Sequence, residues 1–454
     1  MASAADSMAS GLNLSKFGQA TELKKRLWFT LGALIIFRML SFVPLPGVDP
    51  TQLGLLADRT QGGVLDFFNT FSGGALERMS VIALGVMPYI TASIVVQLAT
   101  SLSPTLAAIK KDGESGRKRL NQYTRYGTVA LTAIQGYFIA VGLETLGASQ
   151  GLAPVVEPGM LFRIAAVISL IGGTMFLMWL GEQITSRGVG NGISLIIMAG
   201  IVAHLPTTLV QLFEGGRSGS MNPVTLLAIL AAVAGLILFI CFMERAQRRI
   251  LIQYPKRQTQ RGVQSERSHL PLKINTAGVI PPIFASSLLL MPLTISQFAG
   301  QAQSGDSWSG DLIITLNQYL QHGSLVYMLL YGAGIIFFSF FYTAVVFNPE
   351  ETAENLKKYG GFIPGIRPGK NTEAYFDYVL TRITVIGAAY LTVICLLPEY
   401  LVSALAIPFY LGGTSLLIVV NVTMDTVTQI QSHLLAHQYG DLIKKAKLKG
   451  GRLR

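Results

Sequence analysis

The run TLLAILAAVAGLILFICFM, Thr225 to Met243, constrains this chain more than any other stretch. It carries no charge. As a helix rising about 1.5 Å per residue, it is long enough to cross a hydrocarbon core about 30 Å thick. Comparable runs recur along the 454 residues, and only 13% of the chain is charged against 51% hydrophobic. A water-soluble domain does not repeat runs of that length, and barrel strands would alternate with period two, which these runs do not. The sequence therefore predicts an all-α polytopic membrane protein.

Ten transmembrane helices are predicted, over roughly 25–45, 79–101, 124–146, 161–181, 190–211, 223–243, 274–296, 325–347, 378–398 and 404–426. The first follows Lys24, Lys25 and Arg26 as a signal peptide would, but it runs on into VPLPGVDP with no small-x-small cleavage site, so it reads as a span. An even count puts both termini on one side. Of the 35 lysines and arginines, 29 fall in one alternating set of segments. That set comprises the N-terminal tail, the 102–125 loop, Arg187, the 244–273 loop, the 348–374 loop and the C-terminal tail. The opposite loops keep Arg59, Arg78 and Arg217, with Arg163 at a span end. The positive-inside rule makes both termini cytoplasmic.

Two spans share a nonapeptide. Gly85 to Ser93 reads GVMPYITAS and Gly278 to Ser286 reads GVIPPIFAS, with six of nine positions identical at an offset of 193 residues. The second span runs inward and the seventh outward, so the same sequence crosses in opposite directions. That is the mark of inverted halves, with the matching Gly/Pro-interrupted spans at their functional interface. The chain accordingly divides into a tail (1–22), an N-terminal half (23–215), a C-terminal half (216–430) and a second tail (431–454).

Catalytic material is scarce. No GxxxxGK[ST] pattern occurs, so no ATP is hydrolysed through a P-loop. Cys241 and Cys395 lie in apolar runs and read as small core side chains. His433 and His437 stand four apart with no third ligand near, and read as part of a solvated tail helix. The glycines of RGVGNGIS, Arg187 to Ser194, open a span and suit close helix packing better than a phosphate cradle. No enzyme activity, metal or cofactor is expected. Arg38, Arg163, Glu182, Arg382 and Asp425 all fall near span ends, so the midplane carries only mild polarity: Thr91, Ser93 and Gln97 on the second span, Asn275, Thr276 and Ser286 on the seventh. An ion-coupled transporter with inverted repeats would want midplane charge. The basic loops are longer than topology needs, and Arg367 is held between Gly365 and Pro368. Such a surface invites an anionic partner, RNA or an acidic protein face. One further segment, FFNTFSGGALERMS (Phe67 to Ser80), is partly apolar, too short to span, and broken by Gly73 and Gly74.

The chain resembles the SecY family, the central subunit of the bacterial protein-conducting channel, from Leu23 to about Gly450. The carriers are FNTFSGGALERMS, ALGVMPYITASIVVQL, KKDGESGRKRLNQYTRYGT, GTMFLMWLGEQITSRGVGNGIS, ERAQRRI, HLPLKINTAGVIPPIFASS, FFYTAVVFNPEETAENLKK, IPGIRPGK and PFYLGGTSLLIVV. The resemblance implies two five-helix halves around a central pore. It implies a plug helix within 64–78, formed by Asp66, Phe67, Phe68, Asn69, Thr70, Phe71, Ser72, Gly73, Gly74, Ala75, Leu76 and Glu77. Twelve helical residues extend only about 18 Å, enough to fill a funnel and not to span. Read without the family, the same segment would be an ordinary re-entrant hairpin.

The resemblance further implies an aliphatic pore ring of Val86, Ile90, Ile193, Ile197, Ile283 and Ile418, with Val86 where isoleucine is common. Such a collar dewets and blocks ions without gripping a passing peptide. A lateral gate between spans two and three and spans seven and eight would use Pro88, Thr91, Ser93, Gln97, Asn275, Thr276, Pro281, Pro282 and Ser286. The basic loops would meet the SecA ATPase and the ribosome, with its rRNA, through Arg248, Arg249, Lys256, Arg257, Arg261 and Arg367. SecE and SecG would complete the channel, signal peptides and nascent polypeptides would pass it, and membrane lipids would receive the apolar segments. The expected location is the bacterial inner membrane.

Overall fold

The computed structural model describes residues 21–53, 69, 72–150, 154–217, 223–254, 257–259, 262–264, 267–289, 324–405 and 412–450. Helix α1 (Thr21–Leu40) is followed by turns and then by α2 (Met87–Leu102) and α3 (Pro104–Lys111). Next come α4 (Glu114–Gln150), α5 (Met160–Arg187), α6 (Gly192–Arg217) and α7 (Pro223–Arg245). Four strands follow: β1 (Gln247–Gln253), β2 (Arg257–Thr259), β3 (Gly262–Gln264) and β4 (Arg267–Lys273). The chain continues with α8 (Ile280–Leu289), α9 (Leu325–Val346), α10 (Pro349–Lys358), α11 (Lys370–Leu405) and α12 (Gly413–Gly450).

Among the described residues six helices are long and apolar enough to cross a membrane, and a seventh is reached if α2 and α3, bent by 101° at their junction, count as one span. The sequence predicts ten. Helix α1 carries Lys24, Lys25, Arg26 and Arg38 within its 20 residues. The predicted span 274–296 is described only to Leu289, and 404–426 lacks residues 406–411. Pro104 marks the bend after α2, because the ring disfavours helical backbone in the residue before it.

The second predicted span begins late. Residues 79–86 are turns, and Ser80 bridges to Pro44. The basic 244–273 loop, by contrast, carries strands the sequence reading did not anticipate. β1 pairs antiparallel with β4 from Gln247↔Lys273 to Gln253↔Arg267, and β2 pairs with β3. The signal was the alternation in QRRILIQ, where Ile250 and Ile252 turn inward.

The described residues gather into two compact units. One draws on Met1–Tyr89, Arg125–Pro206 and Val422–Arg454, the other on Ile90–Thr124 and Thr207–Asn421. In the first, α5 packs on α1. Glu144 on α4 accepts from Arg163 Nη2 at 2.7 Å and Nε at 2.9 Å, and from the Gly159 amide at 2.9 Å. Leu23, Val189 and Leu434 form a small core there with Leu27 and Ile430. In the second unit, α9 lies on α11, and the Tyr331 hydroxyl meets Thr414 Oγ1 at 2.7 Å.

In the first unit one glycine of an adjacent pair is closely packed and the other is not. A Cβ on Gly173 would come within 2.0 Å of the Val81 carbonyl oxygen, whereas one on Gly172 would meet nothing within 4 Å. Gly173→Ala is expected to cost about 1–3 kcal/mol through overpacking. Gly172→Ala should be neutral or slightly stabilising, since alanine is the better helix former. Melting temperatures of the two variants in one detergent check this pair directly.

Candidate functional site

Helices α2 and α8 begin in matching registers. Met87 and Ile280 open them, 193 residues apart, the offset of the shared nonapeptide. Two residues earlier stand Gly85 at φ +56° and Gly278 at φ +66°, conformations that glycine adopts without strain. Pro88 and Pro281 then each occupy the second helical position, where a missing N–H leaves no bond unmade. These prolines therefore open their helices and do not break them. The repeat is thus a repeat of local structure as well as of sequence.

The turn before each helix is held differently. Before α2, the Gly85 amide donates to the Ile82 carbonyl at 2.8 Å, and the Ile82 amide to Ser80 Oγ at 3.3 Å. Before α8, Asn275 takes both peptide groups of Gly278. Its Oδ1 accepts from the Gly278 amide at 3.1 Å, and its Nδ2 donates to the Gly278 carbonyl at 3.1 Å and to Glu244 Oε1. Thr276 Oγ1 donates to the Lys273 carbonyl, Ser286 Oγ to Ile283, and Gln97 Nε2 to Ser93 Oγ. Thr91 and Pro282 are buried.

Of the predicted ring, Val86, Ile90, Ile197 and Ile418 are buried and Ile193 and Ile283 half-buried. Val86 lies in the turn just before α2, Ile90 on α2, Ile193 and Ile197 on α6, Ile283 on α8 and Ile418 on α12.

Of the predicted plug, Asp66, Phe67, Phe68, Thr70 and Phe71 lie outside the described residues. From Gly73 to Glu77 the chain turns and does not continue as a helix, with Gly73 and Gly74 at φ +72° and +81°. Polar groups fasten this turn. Asn69 Nδ2 donates to Glu77 Oε2 at 2.9 Å, and Asn69 Oδ1 accepts from the Glu77 amide at 3.1 Å. Arg38 Nη1 donates to the Gly73 carbonyl at 2.6 Å, and Arg38 and Arg78 both stack on the Phe42 ring, 4.8 and 4.3 Å from its centre. His204 Nε2 stands 3.2 Å from the Asn69 carbonyl. A Cβ on Gly73 would sit 3.1 Å from Gly200 Cα. Sequence reasoning placed Arg38 only near a span end and passed over His204, because neither partner is close in sequence.

The two basic loops form one packed body. Gln253 and Phe362 exchange both backbone hydrogen bonds at 2.9 Å. Ile250, Ile252 and Leu272 share a core with Ala353, Leu356, Ile363 and Phe376. Arg248, Arg249 and Arg367 remain exposed on it, Arg367 two residues after Gly365 at φ +85°. Lys256 and Arg261 lie outside the described residues, as does the side chain of Arg257, the first residue of β2.

Fold and sites define a polytopic helical membrane protein. Residues 80–427 match the SecY family model, and the chain belongs to that family. It is 54% identical over 434 residues to the protein translocase subunit SecY of Escherichia coli (strain K12), covering 95% of this chain and 96% of that one. It is 51% identical over 438 residues to the subunit of the same name from Rickettsia bellii (strain RML369-C), covering 96% and 99%. In fold it resembles a solved protein-conducting channel, with TM-score 0.62, 16% identity, and 90% and 92% of the two chains covered. It also resembles Sec61 in the canine ribosome-channel complex, with TM-score 0.60, 15% identity and the same coverage.

The clasp on the glycine turn is testable. A hydrogen bond from a charged donor contributes about 1.5–3 kcal/mol. With Cys241 and Cys395 replaced, an Ala75→Cys thiol, buried at 0% exposure in the parent, should react slowly with a water-soluble maleimide. Adding Arg38→Met should raise that rate about tenfold or more, and an unchanged rate would show that the clasp does not hold the turn.

Proposed function

We propose that this chain is the channel-forming subunit of a bacterial Sec translocase, a passive conduit for unfolded secretory polypeptides. The observation that carries the proposal is its relationship, across 95% of its length, to a protein translocase subunit. The spans agree with it: charge sits at their ends, and a conduit for chains of every sequence needs a wall that binds none of them tightly. No P-loop is present in the sequence, so the driving force comes from outside, from the SecA ATPase or the translating ribosome.

In this reading ten spans form two inverted five-helix halves, with both termini in the cytoplasm and the subunit in the inner membrane. SecE and SecG are its companions. The six aliphatic residues from Val86 to Ile418 close the pore, and the segment 66–77 plugs it from outside. The seam between spans two and three and spans seven and eight lets a signal segment reach lipid. The packed basic body, with exposed Arg248, Arg249 and Arg367, receives the motor or ribosomal RNA, since clustered guanidinium groups suit anionic surfaces.

Proteoliposomes holding this chain with SecE and SecG should take up a secretory precursor into a protease-protected state when SecA and ATP are supplied. Uptake without SecA, or none with it, would reject the reading. Deletion of residues 66–77 should make resting vesicles leaky to ions while precursor uptake largely survives. Vesicles that stay tight would remove the plug role.

A further inference from the structure

Glu244 is an unusual residue to find where it is. It sits in the last turn of α7 with only 6% of its surface exposed, at the end of a run that holds no other charge from Val224 onward. A buried carboxylate needs strong hydrogen-bonding partners to persist. One of them is Asn275, itself 4% exposed, which in turn holds both the amide and the carbonyl of Gly278. Two residues beyond Gly278 the helix α8 begins.

The position of this chain of contacts matters. The β1–β4 hairpin leaves α7 at Ala246 and returns at Ile274, and the Ile274 amide donates to the Ala246 carbonyl at 3.1 Å, closing its root. Asn275 is the next residue. Glu244 therefore bridges the root from the α7 side to the turn that leads into α8. The root has little slack, because a Cβ on Gly387 would come within 2.8 Å of the Ile274 carbonyl. A tilt of the hairpin that carries Arg248 and Arg249 has to move Asn275, and with it the grip on Gly278.

We infer that Glu244 is a positioning residue: through Asn275 it sets the entry of α8 and couples the basic hairpin to that helix. This rests on the translocase reading for its purpose, since a docked motor would supply the tilt. The coupling itself is a property of one compact unit. Glu244→Ala removes one of the two acceptors of Asn275 Nδ2, while Glu244→Gln keeps a carbonyl oxygen in its place. Asn275→Ala removes the grip from the other side and serves should Glu244→Ala fail to assemble.

The test uses the full complex in lipid vesicles, with Cys241 and Cys395 replaced and spin labels at Ser268→Cys on β4 and Leu288→Cys on α8. Three quantities are read: motor affinity, transport rate at saturating motor, and the label-to-label distance distribution with and without motor. Glu244→Ala and Asn275→Ala should leave motor affinity within about twofold. They should lower the saturating rate about tenfold, the loss expected from one strong buried hydrogen bond. They should also broaden the distance distribution, and Glu244→Gln should stay near wild type in all three. An unchanged distribution and rate in the alanine variants, or an affinity that falls in step with the rate, would overturn the inference. A wild-type complex that transports nothing, while the alanine variants still broaden the distribution, would overturn the translocase reading and support the positioning role.

Discussion

No water reaches the interior of a bilayer, so every peptide group there must find its partner within the chain. Helices meet this demand automatically, and most of the described residues are helical. The stretches that are not helical show how demanding the rule is. Between Ser72 and Val86, and again between Ile274 and Val279, the chain turns, and side chains take over the work of the helix ladder. Ser72 accepts from the Leu76 amide, Ser80 from the Ile82 amide, Asn69 from the Glu77 amide, and Asn275 satisfies both groups of Gly278. Each such turn leads into a helix of the nonapeptide pair. The irregular segments are therefore the ones the structure has fastened with most care, and they are the ones the functional reading needs to move.

The sequence revealed the class of fold through its apolar runs, and the repeat through nine residues. The repeat proved deeper than letters: the same offset relates two positive-φ glycines, two helix starts and two prolines at the second helical position. Other features were not legible, for definite reasons. Boundaries shifted where hydropathy continues through a turn, as it does from Met79 to Val86. The hairpin was hidden because charged and polar residues interrupt its apolar pattern, although Ile250 and Ile252 alternate with their neighbours. Asn275 was marked as a polar residue in an apolar span, but its partner Glu244 lies 31 positions away, and no local pattern joins them. Arg38 and His204 were missed for the same cause, since they reach Gly73 and Asn69 across 35 and 135 residues.

These observations suggest a division of labour. Rigid helices carry the apolar wall, and the body formed by the two basic loops gathers charge without placing any within the spans. The fastened turn from Ile274 to Val279 joins the two. A passive conduit driven from outside has to transmit a docking event into the membrane with little chemistry of its own. Buried hydrogen bonds at helix entries, each contributing on the order of 1–3 kcal/mol, are strong enough to hold a closed arrangement and weak enough for a bound partner to overcome.

If the chain is a conduit, polypeptide passes beside the aliphatic residues of α12 and its companions. A photo-crosslinking amino acid at Ile418, with a secretory chain stalled in the membrane, addresses it most directly. An adduct between this position and the stalled chain, dependent on a functional signal sequence, is the expected result. An absent adduct, together with flux of small solutes through the reconstituted protein, would contradict it and return the chain to the solute transporters.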